Sequence, residues 1–398
     1  MFSMGNGLKA LLWVIAVVVI AWLGWGLFNQ GNAPEAPSGE ASLSGEPIKI
    51  GFMAPLTGGL ASYGEGIRDG VKLAIADLGL ADRVELIEED TQCEPELATN
   101  AASKLINVDG VVAIIGETCS SPTLAAAPLA EEAKIVMISA SATSPDIADA
   151  GDFIFRSIPS DALQGSFGAK LVADLGIERL AVLHTNDDYG NGFKDVLLSA
   201  VPAQGGLVVA AESVERDAAD MRAQLTKLKA QNPDGIYVIL NSEATIVGAL
   251  RQIKELELNA TVIGSEGFNA PVVIEAAGEA ADGLIVTTVV AGSDAFQARF
   301  QETYGKAPGV FAAQAYDAFY ALGLALKDGS VTPEAIRDYL YDVQFDGATG
   351  PIDFDEKGEV TGNYDVLVFD AEEKTFSSTS AEELLSMEED TGETISVE

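Results

Sequence analysis

The sequence predicts an α/β protein in which short buried strands alternate with helices. From Ile48 onward, apolar runs rich in β-branched residues, such as Ile48–Met53 and Val111–Ile115, alternate with helical patterns such as Gly64–Leu78. Repeated strand–helix–strand units of this kind produce parallel sheets with helices on both faces. The chain has 398 residues and 48% apolar content, which is sufficient for the cores of two domains of ordinary size.

The elements fall into two series. The first series comprises strands and helices at Ile48–Met53, Gly64–Leu78, Val84–Glu89, Glu96–Asn107, Val111–Ile115, 121–132 and Ile135–Ile138. The second series follows Phe153–Ser157 and has strands, with helices between them, at Leu180–His184, Leu207–Ser213, Gly235–Leu240, Thr261–Ile263 and Gly283–Thr287. After these, Asp294–Tyr341 predicts helices only, and Gly350–Phe354 and Tyr364–Phe369 predict closing strands.

An apolar run precedes the α/β region. Leu8–Phe28 is long enough to span a bilayer and exceeds the roughly 7–15 apolar residues of a signal-peptide core. Because proline follows the small residues Ala33 and Ala36, residues 1-28 favour an uncleaved transmembrane anchor over a cleaved signal segment, with cleavage after Ala41 as the alternative. Lys9, at the N-terminal end of the run, places the bulk of the chain outside the membrane.

Two further segments are polar and lack an apolar period. Residues 29-46, rich in Gly, Ala, Pro, Ser and Glu, predict a flexible linker, and residues 377-398, which carry acids and no base, predict an acidic tail.

In an exported chain Cys93 and Cys119 predict a disulfide, and two free thiols are the alternative.

The composition excludes several functional classes. Asp and Glu number 61 against 23 Lys and Arg, and the formal net charge of −38 would repel nucleic acid and anionic lipid. One His and two Cys leave little for a zinc site or a His-based catalytic triad. With no cofactor motif and no nucleophile–base pair, we expect a protein that holds no cofactor or metal and is not an enzyme.

Two hydroxyl-rich loops follow predicted buried strands. Gly116–Ser121 follows the strand Val111–Ile115, and Ser139–Thr143 follows Ile135–Ile138. Open α/β sheets bind their ligands at the carboxyl ends of the strands, and hydroxyls with free backbone N–H groups suit a carboxylate. The sequence therefore predicts a site for a small anionic or zwitterionic molecule.

Seven short motifs extend this interpretation. They are Ala54–Gly58, Asp90–Pro95, Gly116–Ser121, Ser139–Pro145, Arg156–Asp161, Asp188–Gly190 and Gly264–Gly267. In this order they resemble the periplasmic branched-chain amino-acid binding proteins, the leucine/isoleucine/valine-binding receptors of ABC transporters, and the resemblance covers roughly residues 47–376.

The resemblance implies the type I periplasmic-binding-protein fold, an α/β architecture of two doubly wound parallel-sheet lobes joined by three crossovers. Lobe one would comprise 47-160 plus 291-348, and lobe two 161-290 plus 349-376. The crossovers would lie near Ser157–Asp161, Val289–Gly292 and Thr349–Ile352. Cys93 and Cys119 match the disulfide positions of the family.

The resemblance also implies a ligand-binding set. Ser120 and Thr143 match positions that bind the α-carboxylate and α-amino groups of the ligand, and the adjoining Ser141 and Ala142 belong to the same loop, in which Ser141 matches a main-chain contact. Glu266 matches the acid that pairs with the ligand ammonium.

Aromatic and acidic positions complete the implied set. Tyr63 matches an aromatic residue at the ligand side chain, and Tyr189 a tyrosine of the cleft. The chain departs from the family at Asn241-Ser242-Glu243, where a tyrosine is common. There Glu243 would strengthen the ammonium site or contact a polar ligand side chain.

These features predict an extracytoplasmic receptor. It would capture an amino acid, branched-chain or otherwise apolar, between closing lobes and deliver it to ABC-transporter permease subunits. The alternatives are a ligand sensor of the same fold and a receptor for an amide, a urea or an aromatic acid.

Overall fold

The computed structural model describes residues 46–380. The predicted anchor at 1-28, the linker up to residue 45 and the tail from residue 381 lie outside the described residues. Within 46–380, no helix combines the length and apolar character needed to cross a membrane.

The first sheet has five parallel strands in the order β2-β1-β3-β4-β5. The strands are β1 (Ile48–Ala54), β2 (Val84–Asp90), β3 (Ala113–Ile115), β4 (Val136–Ser139) and β5 (Ile154–Arg156). Helices α1 (Ala61–Asp77), α2 (Pro95–Lys104) and α3 (Ser120–Ala133) connect the first four strands. Because the strand order reverses between β1 and β3, a crevice opens at their carboxyl ends, where such sheets bind ligands.

Both faces of this sheet are covered. Ala113 and Ile115 of β3 lie in one apolar cluster with α-helical residues, whereas Ile114 lies in a second cluster on the opposite face. Successive side chains of a strand point to opposite faces, so a strand buried on both sides requires an unbroken apolar run. This explains the runs that predicted the strands.

The second sheet has seven strands in the order β14-β13-β10-β9-β8-β6-β7. Its strands are β6 (Arg179–Thr185), β7 (Leu207–Val214), β8 (Gly235–Ile239), β9 (Thr261–Gly264), β10 (Ile285–Val289), β13 (Tyr364–Asp370) and β14 (Thr375–Thr379). Strands β6 to β10 pair in parallel, while β13 and β14 are antiparallel. The accompanying helices are α4 (Asp161–Asp174), α5 (Asp188–Ala203), α6 (Arg222–Lys229), α7 (Glu243–Glu255) and α8 (Pro271–Ala277).

The chain then returns to the first sheet. Helices α9 (Asp294–Tyr304), α10 (Ala312–Asp328) and α11 (Pro333–Asp342) occupy the segment predicted to be helical only. Phe319 and Leu322 of α10 pack in the same cluster as Ile50 of β1. The predicted α/β class with parallel sheets is confirmed.

The third passage between the sheets lies later than predicted. Strands β11 (Gln344–Gly347) and β12 (Gly350–Asp353) form a hairpin, and Ile352, Phe354 and Val360 pack in the core of the first sheet. Residues 349–360, which we expected in lobe two, therefore belong with the first sheet, and the chain crosses between Val360 and Tyr364. The strand pattern of Gly350–Phe354 does not indicate which sheet will cover its apolar side chains.

The predicted acidic tail also begins too early. Strand β14 pairs with β13, and the ring of Phe376 packs 5.2 Å from that of Phe369. Residues 377–379 of the expected tail therefore extend the second sheet, because Phe376 provides an apolar anchor.

Candidate functional site

A cavity lies where the carboxyl ends of strands from both sheets meet. Residues after β3 and β4 of the first sheet and after β8 and β9 of the second sheet line it, together with residues from the start of α1 and the loop before α10. The lining residues are Leu60, Tyr63, Thr118, Cys119, Ser120, Ser141, Tyr189, Leu240, Asn241, Glu266, Gly267 and Phe311.

Hydroxyl groups line the side formed by the first sheet. Ser120 is the first residue of α3, and its Oγ accepts a hydrogen bond from the Ser144 N–H at 3.1 Å. Ser141 Oγ donates to the Thr118 carbonyl oxygen at 2.7 Å. The cavity thus meets the amino end of a 14-residue helix, where unpaired backbone N–H groups favour an anion.

A buried acid, Glu117, holds this loop in place through hydrogen bonds. Glu117 is fully buried and accepts hydrogen bonds from the Thr91 hydroxyl and, at 3.0 Å, from the Cys119 N–H. Burial raises the pKa of Glu117 to about 7. Cys119 is also joined to Cys93 by a disulfide with a Cα–Cα distance of 5.6 Å, so Ser120 follows a residue that is held at both its backbone and its side chain.

The second hydroxyl loop is held by a buried arginine. Arg156 is 1% exposed, donates to the Ser144 carbonyl oxygen at 2.8 Å and forms an ion pair with Glu359. Ala142 and Thr143 are buried in this loop, but they do not line the cavity.

Carboxylates lie on the side formed by the second sheet. Glu266 follows β9, is 4% exposed and accepts a hydrogen bond from Gln164 Nε2 at 2.9 Å. Burial raises its pKa. Asp161, at the start of α4, is fully buried; burial raises its pKa, and the nearby charge of Glu266 raises it further. Two adjacent buried carboxylates are suited to a cationic group, which would stabilise both in their charged forms.

The remaining wall is apolar. Leu60, Tyr63, Leu240 and Phe311 contribute aliphatic and aromatic surface. The rings of Tyr63 and Phe311 lie 6.0 Å apart, and the Tyr63 hydroxyl donates to the Gly267 carbonyl oxygen at 3.3 Å. The cavity therefore combines an anion-binding side, a cation-binding side and an apolar surface.

A family model described as periplasmic binding protein matches residues 47–374. The chain belongs to the periplasmic binding protein family. Membership of this family indicates an extracytoplasmic location.

Several characterised members are similar over most of their length. A leucine-, isoleucine-, valine-, threonine- and alanine-binding protein of Pseudomonas aeruginosa is 32% identical over 347 residues, which cover 83% of this chain and 91% of the relative. The crystal structure of a leucine-binding protein from Thermotoga maritima has a TM-score of 0.78 and 31% identity, and the match covers 84% of this chain and 98% of that one. A branched-chain amino-acid transporter substrate-binding protein of Streptococcus pneumoniae, solved with isoleucine, has a TM-score of 0.76 at 25% identity and covers 84% and 99%.

This periplasmic binding protein brings five of the eight expected ligand residues to one cavity. They are Tyr63, Ser120, Ser141, Tyr189 and Glu266. Ala142 and Thr143 lie in the loop behind the wall, and the Thr143 carbonyl oxygen accepts a hydrogen bond from the Asp161 N–H at 2.8 Å. Glu243, at the start of α7, does not line the cavity; it accepts a 2.5 Å hydrogen bond from Ser62 Oγ.

Other lining residues were not expected from the sequence. Thr118 belongs to the motif Gly116–Ser121. Its position two residues before Ser120 is the signal that could have indicated it as a lining residue. Asn241 lies in the stretch that departs from the family, and its side-chain amide donates to Asp187 at 2.6 Å. Leu60, Leu240 and Phe311 are ordinary apolar residues, and no pattern in the sequence distinguishes them from core residues.

Proposed function

We propose that this chain is an extracytoplasmic receptor that captures an amino acid with an apolar or branched side chain and delivers it to an ABC permease. The observation that supports this most strongly is the lining of the cavity described above, where Ser120, Glu266 and an apolar surface face the same space. A free amino acid carries a carboxylate, an ammonium and a side chain, and each finds a matching part of this wall. The ligands named for these relatives agree with this proposal.

In the proposed complex, the ligand carboxylate lies against the Ser120 hydroxyl and the free N–H groups at the start of α3. The ligand ammonium lies against Glu266, with Asp161 beside it. Charge-assisted hydrogen bonds of this kind are short and roughly twice as strong as neutral ones. The side chain of the ligand packs on Leu60, Tyr63 and Phe311.

We further propose that the two sheets are the cores of two lobes that close around the ligand. Lobe one would comprise residues 47–160 and 291–360, and lobe two 161–290 and 364–380. Ser120 and Glu266 belong to different sheets, so a zwitterion that contacts both has a higher affinity for the closed form. Such a difference in affinity is what any ligand-driven closure requires.

Delivery to a transporter, rather than catalysis, agrees with the surroundings of the hydroxyls. Among residues 46–380, no histidine lines the cavity, and Ser120 Oγ accepts from a backbone N–H instead of donating to a base. Residues 1-28 would hold the receptor at the outer face of the membrane beside its permease.

Calorimetric titration with the twenty amino acids, and with benzoate, acetamide and urea as probes of other ligand classes, tests this function. We expect saturable one-to-one binding of at least one amino acid with an aliphatic side chain. Binding of an aromatic acid, an amide or a urea without binding of any amino acid would overturn the proposal.

A further inference from the structure

Two buried carboxyl groups lie next to each other on the second-sheet side of the cavity. Glu266 lines the cavity and is 4% exposed, whereas Asp161 does not line it and is fully buried. Gln164 lies three residues after Asp161 on the same face of α4, and its Nε2 donates to Glu266 Oε2 at 2.9 Å. The negative charge of Glu266 acts on Asp161 and raises its pKa, so the protonation of one acid depends on that of the other.

Asp161 lacks the hydrogen bonds that an ionised carboxylate needs. Neither of its carboxyl oxygens has a hydrogen-bond partner among the described residues, and a buried carboxylate without donors is far more costly than a protonated carboxyl group. A protonated carboxyl group can also donate, and Gln164 Oε1 is a buried acceptor without a partner on the same helix face. Glu266, in contrast, accepts from Gln164 and reaches the cavity. The surroundings of the pair therefore favour a proton on Asp161 and a negative charge on Glu266.

The other charged groups around the pair do not compensate two negative charges. The cation that lowers the pKa of Asp161 is Arg156, but its guanidinium is already engaged by the Ser144 carbonyl oxygen and by Glu359. Asp187, before α5, adds a negative charge that raises the pKa of Asp161 again. Three tyrosines also face the pair, and burial raises the pKa of each, so that they stay neutral: Tyr189, Tyr237 and Tyr364. A further cation is needed before both acids can ionise.

We propose that Asp161 and Glu266 hold one proton between them in the empty receptor and that the ammonium group of the incoming amino acid replaces it, so that capture of the ligand releases a proton. The O–H bond of the carboxyl group breaks, its electron pair stays on the carboxylate, and the proton leaves through Glu266, which lines the cavity, to the solvent. One carboxylate before binding thus becomes two carboxylates and one ammonium. The driving force is the ligand charge, since an adjacent opposite charge lowers a carboxyl pKa by about 1 to 3 units. This inference rests on the proposed amino-acid function and adds proton exchange to it.

The exchange makes affinity depend on pH. The proton and the ligand ammonium compete for the same carboxylate pair, so binding strengthens as pH rises through the range in which the empty receptor holds the proton and the complex does not. Each released proton makes binding about tenfold tighter per pH unit. A free amino acid keeps both of its charges between pH 5 and 7, so any proton released in this range comes from the protein.

Calorimetric titration of the full-length wild type with the best ligand of the amino-acid screen, in two buffers of different ionisation enthalpy, counts the released protons. At one or more of pH 5, 6 and 7 we expect release of about 0.5 to 1 proton, with a matching rise in affinity. Asp161→Asn is neutral and has nearly the same shape, so it should bind the ligand with release of less than about 0.2 proton and with an affinity that does not depend on pH. Asp161→Ser, which is also neutral, replaces it if that variant does not fold.

Asp317→Asn is the matched control. Burial raises the pKa of Asp317 to about 6, but this residue belongs to α10 and does not line the cavity. This variant should therefore release as many protons as the wild type. Glu117 titrates in the same range, but it is present in every one of these proteins, so its contribution cancels in the comparison.

Release of less than about 0.2 proton by the wild type at all three pH values would overturn the inference. Equal release from the wild type and the neutral Asp161 variants would also overturn it. In both cases binding of an amino acid has been measured, so the proposed function stands. If the wild type binds no amino acid, the proposed function fails, and the inference fails with it.

Discussion

The guanidinium of Arg216 donates a 2.6 Å hydrogen bond to the backbone carbonyl oxygen of Cys93 and forms an ion pair with Glu94. Arg216 follows β7 of the second sheet, whereas Cys93 follows β2 of the first sheet and carries the disulfide to Cys119. A second link joins the Asp188 N–H to Ser121 Oγ at 3.1 Å. These contacts therefore join loops that follow strands of the first sheet to loops that follow strands of the second sheet. They lie next to the loop that carries Ser120.

Replacing Arg216 with alanine should destabilise the ligand-bound closed form. We expect the ligand to dissociate about three to ten times faster, with a smaller change in the association rate, because interface contacts act mainly on dissociation. Stopped-flow fluorescence with the best ligand of the amino-acid screen measures both rates. Arg222→Ala is the matched control, since Arg222 is exposed and pairs with Asp220 and Glu255, which lie in the segments that accompany the second sheet and, within residues 46–380, make no link to the first. Equal dissociation rates in the Arg216→Ala variant and the wild type would show that the contact does not hold the closed form.

Replacing Glu266 with glutamine should remove the charge that we assign to the ligand ammonium. We expect the dissociation constant to rise at least about tenfold, because an ammonium buried in the closed cavity loses its ionic partner. Calorimetry measures the change. Glu243→Gln is the control, because Glu243 does not line the cavity, and its effect should stay within about threefold. An unchanged affinity in Glu266→Gln would remove this residue from the site.

Glu117 should make stability depend on pH. Burial raises the pKa of Glu117 to about 7 from the ordinary value of 4.5, and the positive charge of Arg216 lowers it in part. Between these two values the folded protein keeps a proton that the unfolded chain releases. The contribution of Glu117 to the free energy of unfolding therefore decreases as pH rises from 4.5 to 7 and is constant above 7.

Urea unfolding of the wild type and Glu117→Gln at pH 5, 6, 7 and 8 tests this dependence. The free energy of unfolding of the wild type, relative to that of the variant, should fall by about 2 to 3 kcal/mol between pH 5 and 7, since one pKa unit is about 1.4 kcal/mol. Other buried acids such as Asp317 are present in both proteins and cancel in the difference. A difference that does not vary with pH would contradict the assignment.

Removing the disulfide should lower both stability and affinity. Cys93 and Cys119 are separated by 26 residues, and the loss of a loop closure of this size costs about 3 to 4 kcal/mol. The double variant Cys93→Ser/Cys119→Ser should show this loss in urea unfolding. It should also bind ligand more weakly, because Cys119 precedes Ser120. Affinity equal to that of the wild type would show that hydrogen bonds to Glu117 alone hold the loop.

Several residues of the candidate site could be placed from the sequence because they follow strands. Ser120 and Ser141 come directly after the runs that form β3 and β4, and Glu266 comes after β9. Parallel strands direct their carboxyl ends to one edge, so local patterns were enough to place Ser120 and Ser141 together. Glu266 lies at the edge of the other sheet, and only the resemblance to the amino-acid binding proteins indicated it. Glu243 shows the limit, since it also follows a strand but contacts Ser62 instead of the cavity.

Other features depend on distant parts of the chain. Phe311 reaches the cavity from the segment before α10, where its φ of 68° turns the backbone toward Tyr63. The passage between the sheets near Val360 depends on whether Ile352 and Phe354 find space on the first sheet. An apolar residue is stabilised equally by burial against any apolar surface, so its type does not specify its partner.

The sequence by itself determined the α/β class, the strands and the hydroxyl loops, because burial on both faces requires unbroken apolar runs and because ligand loops follow strand ends. Only the tertiary structure decided which hydroxyl remains without a partner. Thr118 and Ser120 are both hydroxyl residues of one short loop, yet Ser120 accepts a bond from Ser144 and Thr118 has none among the described residues. Hydrogen bonding depends on distance and direction between residues far apart in the chain, and these are set only when the sheets and loops have packed together.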